Sequence, residues 1–211
     1  MKPVWTDTLR SPTAWLCFLG VAIGGVAADL WSKAAAVEHL KFNSAISFIP
    51  HLVRFEYTEN HGAVFGLGQG QQALFLVVSI GAIGYLLWLF ATSGRMRIYQ
   101  IILGMLVAGV IGNMYDRLKF GYVRDMIHGL PGVHWPQWIA ERLPGGWRAS
   151  AGQPMEVFPW IFNVADSLLC VGVTAMIIFL FITERQRKKA LSGGTDGPDQ
   201  NVSARAATER A

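Results

Sequence analysis

The run ALFLVVSIGAIGYLLWLFA, residues 73–91, contains no charged side chain. An apolar run of about 20 residues is long enough to cross the hydrocarbon core of a bilayer as an α-helix. Three more runs have the same character, at residues 14–28, 98–115 and 167–183. They predict four transmembrane helices, which with their flanking residues cover about 14–36, 73–91, 98–118 and 163–183.

The overall composition excludes an ordinary water-soluble domain. Hydrophobic residues make up 52% of the 211 residues and charged residues only 15%, whereas charged residues supply about a quarter of a soluble protein. Four spans leave roughly 130 residues for loops and tails. We therefore expect one integral membrane domain over residues 1–189 and, from its Gly, Ser, Ala and charged composition, a disordered cytoplasmic tail over 190–211.

The positions of the basic residues predict the orientation in the membrane. The net charge is +4, and the Lys and Arg residues flank the apolar runs instead of forming one stripe. This distribution favours anionic lipid headgroups over nucleic acid as the partner. Basic residues mark the cytoplasmic side, and they occur before the first span, between the second and third, and after the fourth: Lys2, Arg10, Arg95, Arg97, Arg185, Arg187, Lys188 and Lys189.

The two long connections, residues 37–72 and 118–159, then lie on the outer, non-cytoplasmic side of the membrane. The first alternates apolar and polar residues between 46 and 57, which predicts short strands at the membrane surface. The second contains several Trp residues among Pro and Gly, which is typical of an interfacial layer. The alternative for the first span is a cleaved signal peptide ending near Ala28, but the run is long and three spans follow it.

Polar residues collect at the predicted outer ends of the spans. Ionisable groups at membrane depth are costly and indicate either function or pairing inside the bundle. Asp29 and Lys33 are spaced i, i+4 and could pair on one helix face, and we expect Asp116 and Arg117 to form a second structural pair. The full set is Asp29, Lys33, Glu59, Asn60, Asn113, Asp116, Arg117, Arg124, Asp125, Asn163 and Asp166.

Asp125 and Asp166 differ from the other acids. They come from different elements, and no basic residue lies at helical spacing from Asp166. Two carboxyl groups brought together near apolar surface cannot both ionise cheaply, so one keeps its proton. Such a pair can act as general base on water and general acid on an amide. From the residues alone, a proton relay or a buried structural pair remains open.

Other chemistries have weaker support. The five histidines lack metal-binding spacing, and no Gly-x-Ser-x-Gly motif is present. We therefore expect neither a metal nor a cofactor. Cys17 and Cys170 lie inside apolar runs, and we interpret them as small core residues.

Five segments resemble the motifs of bacterial lipoprotein signal peptidase (signal peptidase II) in order and spacing. They are Asp29-Leu-Trp-Ser-Lys33, Glu59-Asn-His-Gly-Ala-Val-Phe65, Gly112-Asn-Met-Tyr-Asp-Arg117, Gly121-Tyr-Val-Arg-Asp-Met-Ile127 and Phe162-Asn-Val-Ala-Asp-Ser167. The resemblance implies a mainly α membrane protein of the bacterial cytoplasmic (inner) membrane, with four transmembrane helices, a small extracytoplasmic β-cradle, an interfacial outer loop and both termini in the cytoplasm.

The same resemblance implies an aspartic endopeptidase without a cofactor, whose active site lies at the outer leaflet. It would remove the signal peptide from lipid-modified prolipoproteins, cutting before the diacylglyceryl-cysteine, with Asp125 and Asp166 as the catalytic pair. Asp29 and Lys33 match the pair that closes the first helix. The positions expected to bind or orient substrate are Asn60, Gly62, Asn113, Asp116, Arg117, Asn163 and Ala165.

Arg124 departs from the family pattern, since Val is usual before the catalytic Asp, and we expect it to depress the pKa of Asp125. The outer loop 129–156 is longer than typical, and interfacial anchoring and a lid are both open. The alternative function, from a different class, is a small helical transporter or proton relay that uses the same acids. The clustering of the charges at one side of the membrane argues against it.

Overall fold

The computed structural model describes residues 4–62, 71–142 and 154–192. Its helices are α1 (Val4–Leu9), α2 (Pro12–Leu40), α3 (Gln72–Ala91), α4 (Arg97–Phe120), α5 (Gln137–Ala140) and α6 (Val164–Ser192). Its strands are β1 (Ile46–Ile49), β2 (Val53–Asn60), β3 (Val123–Gly129) and β4 (Ile161–Phe162). Within the described ranges, α2, α3, α4 and α6 are long and apolar enough to cross a membrane. The predicted mainly α fold with four such helices is confirmed.

The helices extend beyond the predicted spans. The first predicted span ended at residue 36, but α2 continues to Leu40. The fourth ended at 183, but α6 runs to Ser192, so residues 190–192, which we assigned to a disordered tail, are helical. The rest of that tail, 193–211, lies outside the described residues.

Helix α4 is the most buried of the four long helices, and glycines let its neighbours approach closely. A Cβ added at Gly109 would lie 2.6 Å from the carbonyl oxygen of Ala165 on α6. A Cβ at Gly104 would lie 2.6 Å from the carbonyl oxygen of Phe18 on α2. Small residues at such contacts are how membrane helices pack without a hydrophobic driving force. These contacts hold α2 and α6 closely against α4.

The exposed surface of the helices is apolar, as lipid requires. Leu16, Val77 and Ile80 are 74%, 67% and 65% exposed, whereas Asp29 and Lys33 are fully buried. This inversion of the usual soluble pattern matches a helix bundle whose solvent is hydrocarbon.

The four strands form one antiparallel sheet in the order β1-β2-β3-β4. The strands predicted between residues 46 and 57 are present as β1 and β2, and the small β-sheet of the fold prediction is confirmed. Gly121 ends α4 in the left-handed conformation, with a φ of 82°, which glycine adopts without steric cost. The chain then enters β3, which places Asp125 opposite Thr58 of β2.

Two compact units divide the chain, residues 1–173 and 174–211. All residues of the candidate site lie in the first unit. In its described part the second unit is the C-terminal portion of α6, where Glu184 lies 3.8 Å from the Nζ of Lys188. The single domain over residues 1–189 stays a prediction.

Candidate active site

Asp125 of β3 and Asp166 in the first turn of α6 meet at Asn163. The Nδ2 of Asn163 donates to Oδ1 of Asp125 at 2.6 Å, and its backbone N–H donates to Oδ2 of Asp166 at 3.2 Å. The two acids are 41 positions apart in the chain, and both contact one residue. The structure thus brings together the two carboxyl groups that the sequence singled out.

The start of α6 explains why Asp166 points toward this place. Asn163 precedes the helix, and its Oδ1 accepts from the backbone N–H of Asp166 at 3.0 Å. Asp166 accepts from the backbone N–H of Asn163 in return. This reciprocal pattern is a capping box, here with Asn and Asp three residues apart. Local sequence therefore fixes the orientation of the Asp166 carboxyl group.

Asn60 and Asn113 complete the amide partners of the two acids. The Nδ2 of Asn60, at the end of β2, donates to Oδ2 of Asp125 at 3.0 Å. The Nδ2 of Asn113 donates to Oδ1 of Asp166 at 2.8 Å, and its Oδ1 accepts from Asn163 at 3.1 Å. Each carboxyl group thus has two N–H donors, and three predicted asparagines link them.

Burial makes Asp125 a weak acid. The residue is 1% exposed, and this desolvation, together with the charge of Asp166, raises the pKa of Asp125 to about 7. The hydrogen bonds from Asn60 and Asn163 act in the opposite direction but are weaker. The guanidinium of Arg124, which we expected to depress this pKa, is directed at Asp116 and not at Asp125.

A buried charge cluster, consisting of Asp29, Lys33, Asp116 and Arg124, lies beside the two acids. The Nζ of Lys33 is 2.8 Å from Oδ2 of Asp29 and 3.4 Å from Oδ2 of Asp116. Nη2 of Arg124 is 2.7 Å from Oδ1 of Asp116. The cluster contains two acids and two bases, so it is electrically balanced. The expected contact between Asp29 and Lys33 is present.

The expected pairing of Asp116 with Arg117 is corrected by these contacts. Arg117 donates instead to backbone carbonyls, from Nη2 to Gly62 at 3.2 Å and from Nη1 to Asn113 at 3.4 Å. Gly62 in turn donates its N–H to Oδ1 of Asn60 at 2.9 Å. Arg117 and Gly62 thus hold the turn that carries Asn60. Residues 63–70, which include the end of that motif, lie outside the described residues.

Ala165 joins the site through its backbone. It is fully buried, and its N–H donates to Oδ1 of Asp29 at 2.8 Å. This bond ties the first turn of α6 to α2.

A cavity of about 490 Å³ adjoins Asp166. Its polar end is formed by Asn60, Asn113, Arg117 and Asp166, its aromatic side by Phe158, Trp160 and Phe162, and its apolar wall by residues of α3, α4 and α6. Asp125 is not among the described residues that line it. Asn60 both lines the cavity and bonds Asp125, so it lies between that acid and the cavity.

The cysteine interpretation needs correction. Cys170 is exposed and lines the cavity, and Cys17 is partly exposed. Neither is a core residue. The apolar runs suggested burial because the sequence does not distinguish a lipid-facing position from an internal one.

Sequence reasoning missed a cluster around His128. Its Nδ1 lies 3.2 Å from Oε1 of Glu56, and its Nε2 lies 3.1 Å from Oε2 of Glu156. The histidine thus connects β3 with the segment that leads into β4 and the aromatic side of the cavity. The three residues of the cluster come from three separate segments without regular spacing, so no sequence signal marks it. Among the described residues, no group of three or more His, Cys, Asp or Glu residues could hold a metal ion.

The fold and the site together define a class, a multi-pass membrane protein built around two carboxyl groups that share amide partners. Comparison with known sequences adds the family. The chain belongs to the signal peptidase II family, because the profile described as Signal peptidase (SPase) II matches residues 21–182. The resemblance found in the motifs is confirmed.

Individual relatives agree with this assignment. The chain is 36% identical over 160 residues to proteins named lipoprotein signal peptidase from Streptococcus pyogenes serotype M5 (strain Manfredo) and serotype M18 (strain MGAS8232), covering 75% of this chain and 89% of each relative. A solved structure described as a bacterial membrane enzyme, obtained by the in meso method, superimposes with a TM-score of 0.62 at 26% identity, over 77% of this chain and 86% of that one. A second structure so described gives a TM-score of 0.61 at 25% identity, over 77% and 90%.

Proposed function

We propose that the protein is an aspartic endopeptidase whose catalytic dyad is Asp125 and Asp166. Its family indicates a protease that removes signal peptides from prolipoproteins. The finer proposal is that it cuts diacylglyceryl-modified prolipoproteins immediately before the lipidated cysteine. The observation that carries it is the meeting of two acids at Asn163 beside an apolar cavity.

The two acids have different tasks in this mechanism. Asp166 lines the cavity and lies at a helix N-terminus, which favours a negative charge. It takes a proton from a water molecule, and the water oxygen attacks the scissile carbonyl carbon. Asp125, with a pKa of about 7, carries its proton in a large share of molecules at neutral pH. It donates this proton to the carbonyl oxygen, which becomes a hydroxyl in the tetrahedral intermediate.

Breakdown of the intermediate reverses the proton flow. Asp125 recovers a proton from the hydroxyl as the carbonyl re-forms, and Asp166 gives its proton to the departing nitrogen. The C–N bond breaks, which releases the amino group of the lipidated cysteine and a new carboxyl group on the signal peptide. Both acids return to their starting protonation states.

Asn60 is expected to gate the contact between Asp125 and substrate. Because Asp125 is buried and Asn60 stands between it and the cavity, the amide has to rotate away when a peptide binds. The amide could then bond the substrate backbone, since Asn both donates and accepts hydrogen bonds.

The cavity suits a substrate that is partly in lipid. The polar end faces the reacting bond, and the apolar wall between α3, α4 and α6 accommodates a signal peptide and acyl chains. Burial of each acyl CH₂ contributes about 0.8 kcal/mol. The lipid therefore supplies affinity and holds the bond at the depth of the acids.

We place the protein in the bacterial inner membrane with the site at the outer leaflet. Arg97 begins α4 and Asn113 lies 16 residues further along, which corresponds to about 24 Å of helix. The basic end is the cytoplasmic end by the positive-inside rule, so the acids are near the opposite surface.

The same helix argues against a proton relay. Residues 101–112 of α4 are all apolar or glycine, a length of about 18 Å. A relay needs ionisable or hydrogen-bonding side chains across the bilayer, and α4, the most buried of the long helices, supplies none over this length.

The test is cleavage of a synthetic diacylglyceryl-prolipoprotein by purified protein in detergent. Asp125→Asn and Asp166→Asn should reduce the rate by at least about 1,000-fold while leaving a folded protein. Glu141→Gln, at an exposed carboxylate, is the matched control. Normal cleavage by either Asp variant would remove that residue from the mechanism. Equal cleavage of the unlipidated peptide would overturn the proposed role of the lipid.

A further inference from the structure

Arg124 makes its principal ionic contact with one buried acid. Its Nη2 lies 2.7 Å from Oδ1 of Asp116 and its Nε lies 3.2 Å from Oδ2, a fork arrangement that guanidinium groups favour. Its backbone N–H also donates to Oδ2 of Asp116 at 3.0 Å. Asp116 is fully buried and Arg124 is 7% exposed. Strand β3 is thus attached to the end of α4 immediately before Asp125.

The same contact is connected to the other acid of the proposed dyad. Asp116 contacts Lys33, whose Nζ donates to Oδ1 of Asn113 at 3.1 Å. Asn113 then donates to Asp166 at 2.8 Å. Arg124 is therefore joined to Asp125 by one peptide bond. It is connected to Asp166 by a chain of contacts through the side chains of Asp116, Lys33 and Asn113.

Charge balance gives this arrangement an electrostatic effect. With Arg124 present, the buried charge cluster is neutral. Without the guanidinium, it retains two carboxylates against one ammonium, and the unpaired negative charge lies beside the dyad. A buried like charge disfavours ionisation of nearby carboxyl groups.

We propose, on the basis of the proposed function, that Arg124 is a positioning residue for the dyad. It acts through Asp116 in two ways. It fixes β3 on α4, and it cancels a negative charge that would otherwise disfavour ionisation of the two acids. Arg124 does not line the cavity among the described residues, so it acts on the reacting groups and not on substrate binding.

The side chain can be tested separately from the backbone bond. Arg124→Gln keeps the N–H that donates to Asp116 and removes the positive charge. Arg124→Lys keeps the charge but loses the fork. Asp116→Asn combined with Arg124→Gln removes one charge of each sign and restores balance. Arg142→Gln is the matched control, because that arginine is exposed and contacts Trp138 outside the cluster.

The experiment is the pH dependence of kcat and KM for cleavage of the lipidated peptide by full-length protein in detergent. Arg124→Gln should move the pH–activity profile upward by about 0.5–1 unit, as expected for one added negative charge at an effective dielectric constant near 20. It should lower kcat at neutral pH and leave KM within about twofold. The pH midpoints of Arg124→Lys, the double variant and Arg142→Gln should match those of the wild type, whereas kcat of the double variant should be lower because β3 is no longer fixed on α4.

Each outcome decides the matter. An unshifted profile for Arg124→Gln, or a double variant that is shifted as far as the single one, would overturn the inference. If Arg124→Gln is recovered unfolded, the double variant decides, because it leaves no buried charge unpaired: a kcat equal to that of the wild type would overturn the inference. The proposed function is judged separately by Asp125→Asn and Asp166→Asn. Loss of cleavage in those variants together with an unshifted Arg124→Gln would refute only the role of Arg124.

Discussion

Replacing Asp125 by Asn should make stability less sensitive to pH. The ordinary pKa of an Asp side chain is 3.8, and in the folded protein burial raises that of Asp125 to about 7. The folded state therefore binds the proton more tightly than the unfolded state. The stabilisation that this proton gives to the folded state is complete below pH 3.8 and is lost as the pH rises toward 7.

The size of the effect follows from those two values. Their difference corresponds to about 4 kcal/mol at 1.36 kcal/mol per pKa unit. Since about 1 kcal/mol shifts the melting temperature of a protein of this length by 2–4 °C, the wild type should lose on the order of 10 °C relative to Asp125→Asn between pH 4 and pH 8. In the variant, an amide NH₂ group replaces one of the two accepting oxygens and faces an N–H donor of Asn60 or Asn163. This lowers the stability of the variant by an amount that does not vary with pH.

The assay is thermal unfolding in detergent at pH 4, 5, 6, 7 and 8. The melting temperature of Asp125→Asn minus that of the wild type should rise steadily with pH and level off above pH 7. The melting temperature of Glu141→Gln should follow that of the wild type at every pH. Adding Asp166→Asn removes a charge that raises the pKa of Asp125, so in that background the difference should level off at a lower pH. A difference that stays constant from pH 4 to pH 8 would refute the buried, weakly acidic Asp125.

Three further variants probe the packing and the polar partners. Gly109→Ala should destabilise by about 1–3 kcal/mol because α4 and α6 are forced apart, whereas Gly24→Ala, in open space, should not; thermal unfolding compares them, and equal melting temperatures would contradict the close approach. Lys33→Met should cost about 3–5 kcal/mol by leaving the buried Asp29 carboxylate without an ionic partner, whereas the exposed Lys41→Met should barely change the melting temperature; an unchanged melting temperature for Lys33→Met would contradict the buried cluster. Asn60→Ala removes a donor that lowers the pKa of Asp125, so the pH profile of kcat/KM, which reports the free enzyme, should move upward by about 1 unit; an unchanged kcat/KM profile would exclude that bond in the enzyme without substrate.

The helices were predictable because the bilayer imposes a length and an apolar composition on each of them. Their ends were less predictable, since a helix such as α6 continues beyond Thr183 through a charged segment to Ser192. Strand β4 has two residues, too few for a periodic pattern. It exists because β3 offers hydrogen-bonding partners, and β3 and β4 are far apart in sequence.

The candidate site was identified largely from residue type and position. The amide links among Asn60, Asn113 and Asn163 were foreseen only as a possibility, because an Asn can bond to several kinds of group. The pairing of Asp116 was predicted incorrectly, since the sequence neighbour Arg117 points to backbone carbonyls and Arg124 arrives on a separate strand. Such pairings depend on tertiary structure and leave no local signature.

The contact between Asp29 and Lys33 also bears on how the protein is made. Both residues are on α2, one turn apart, so their charges cancel within a segment that leaves the ribosome before α3, α4 and α6 do. The first span can enter the bilayer as a neutral unit before Asp116 and Arg124 have been synthesised. Biogenesis of this enzyme therefore does not have to wait for its later helices to shelter a lone ion in the hydrocarbon.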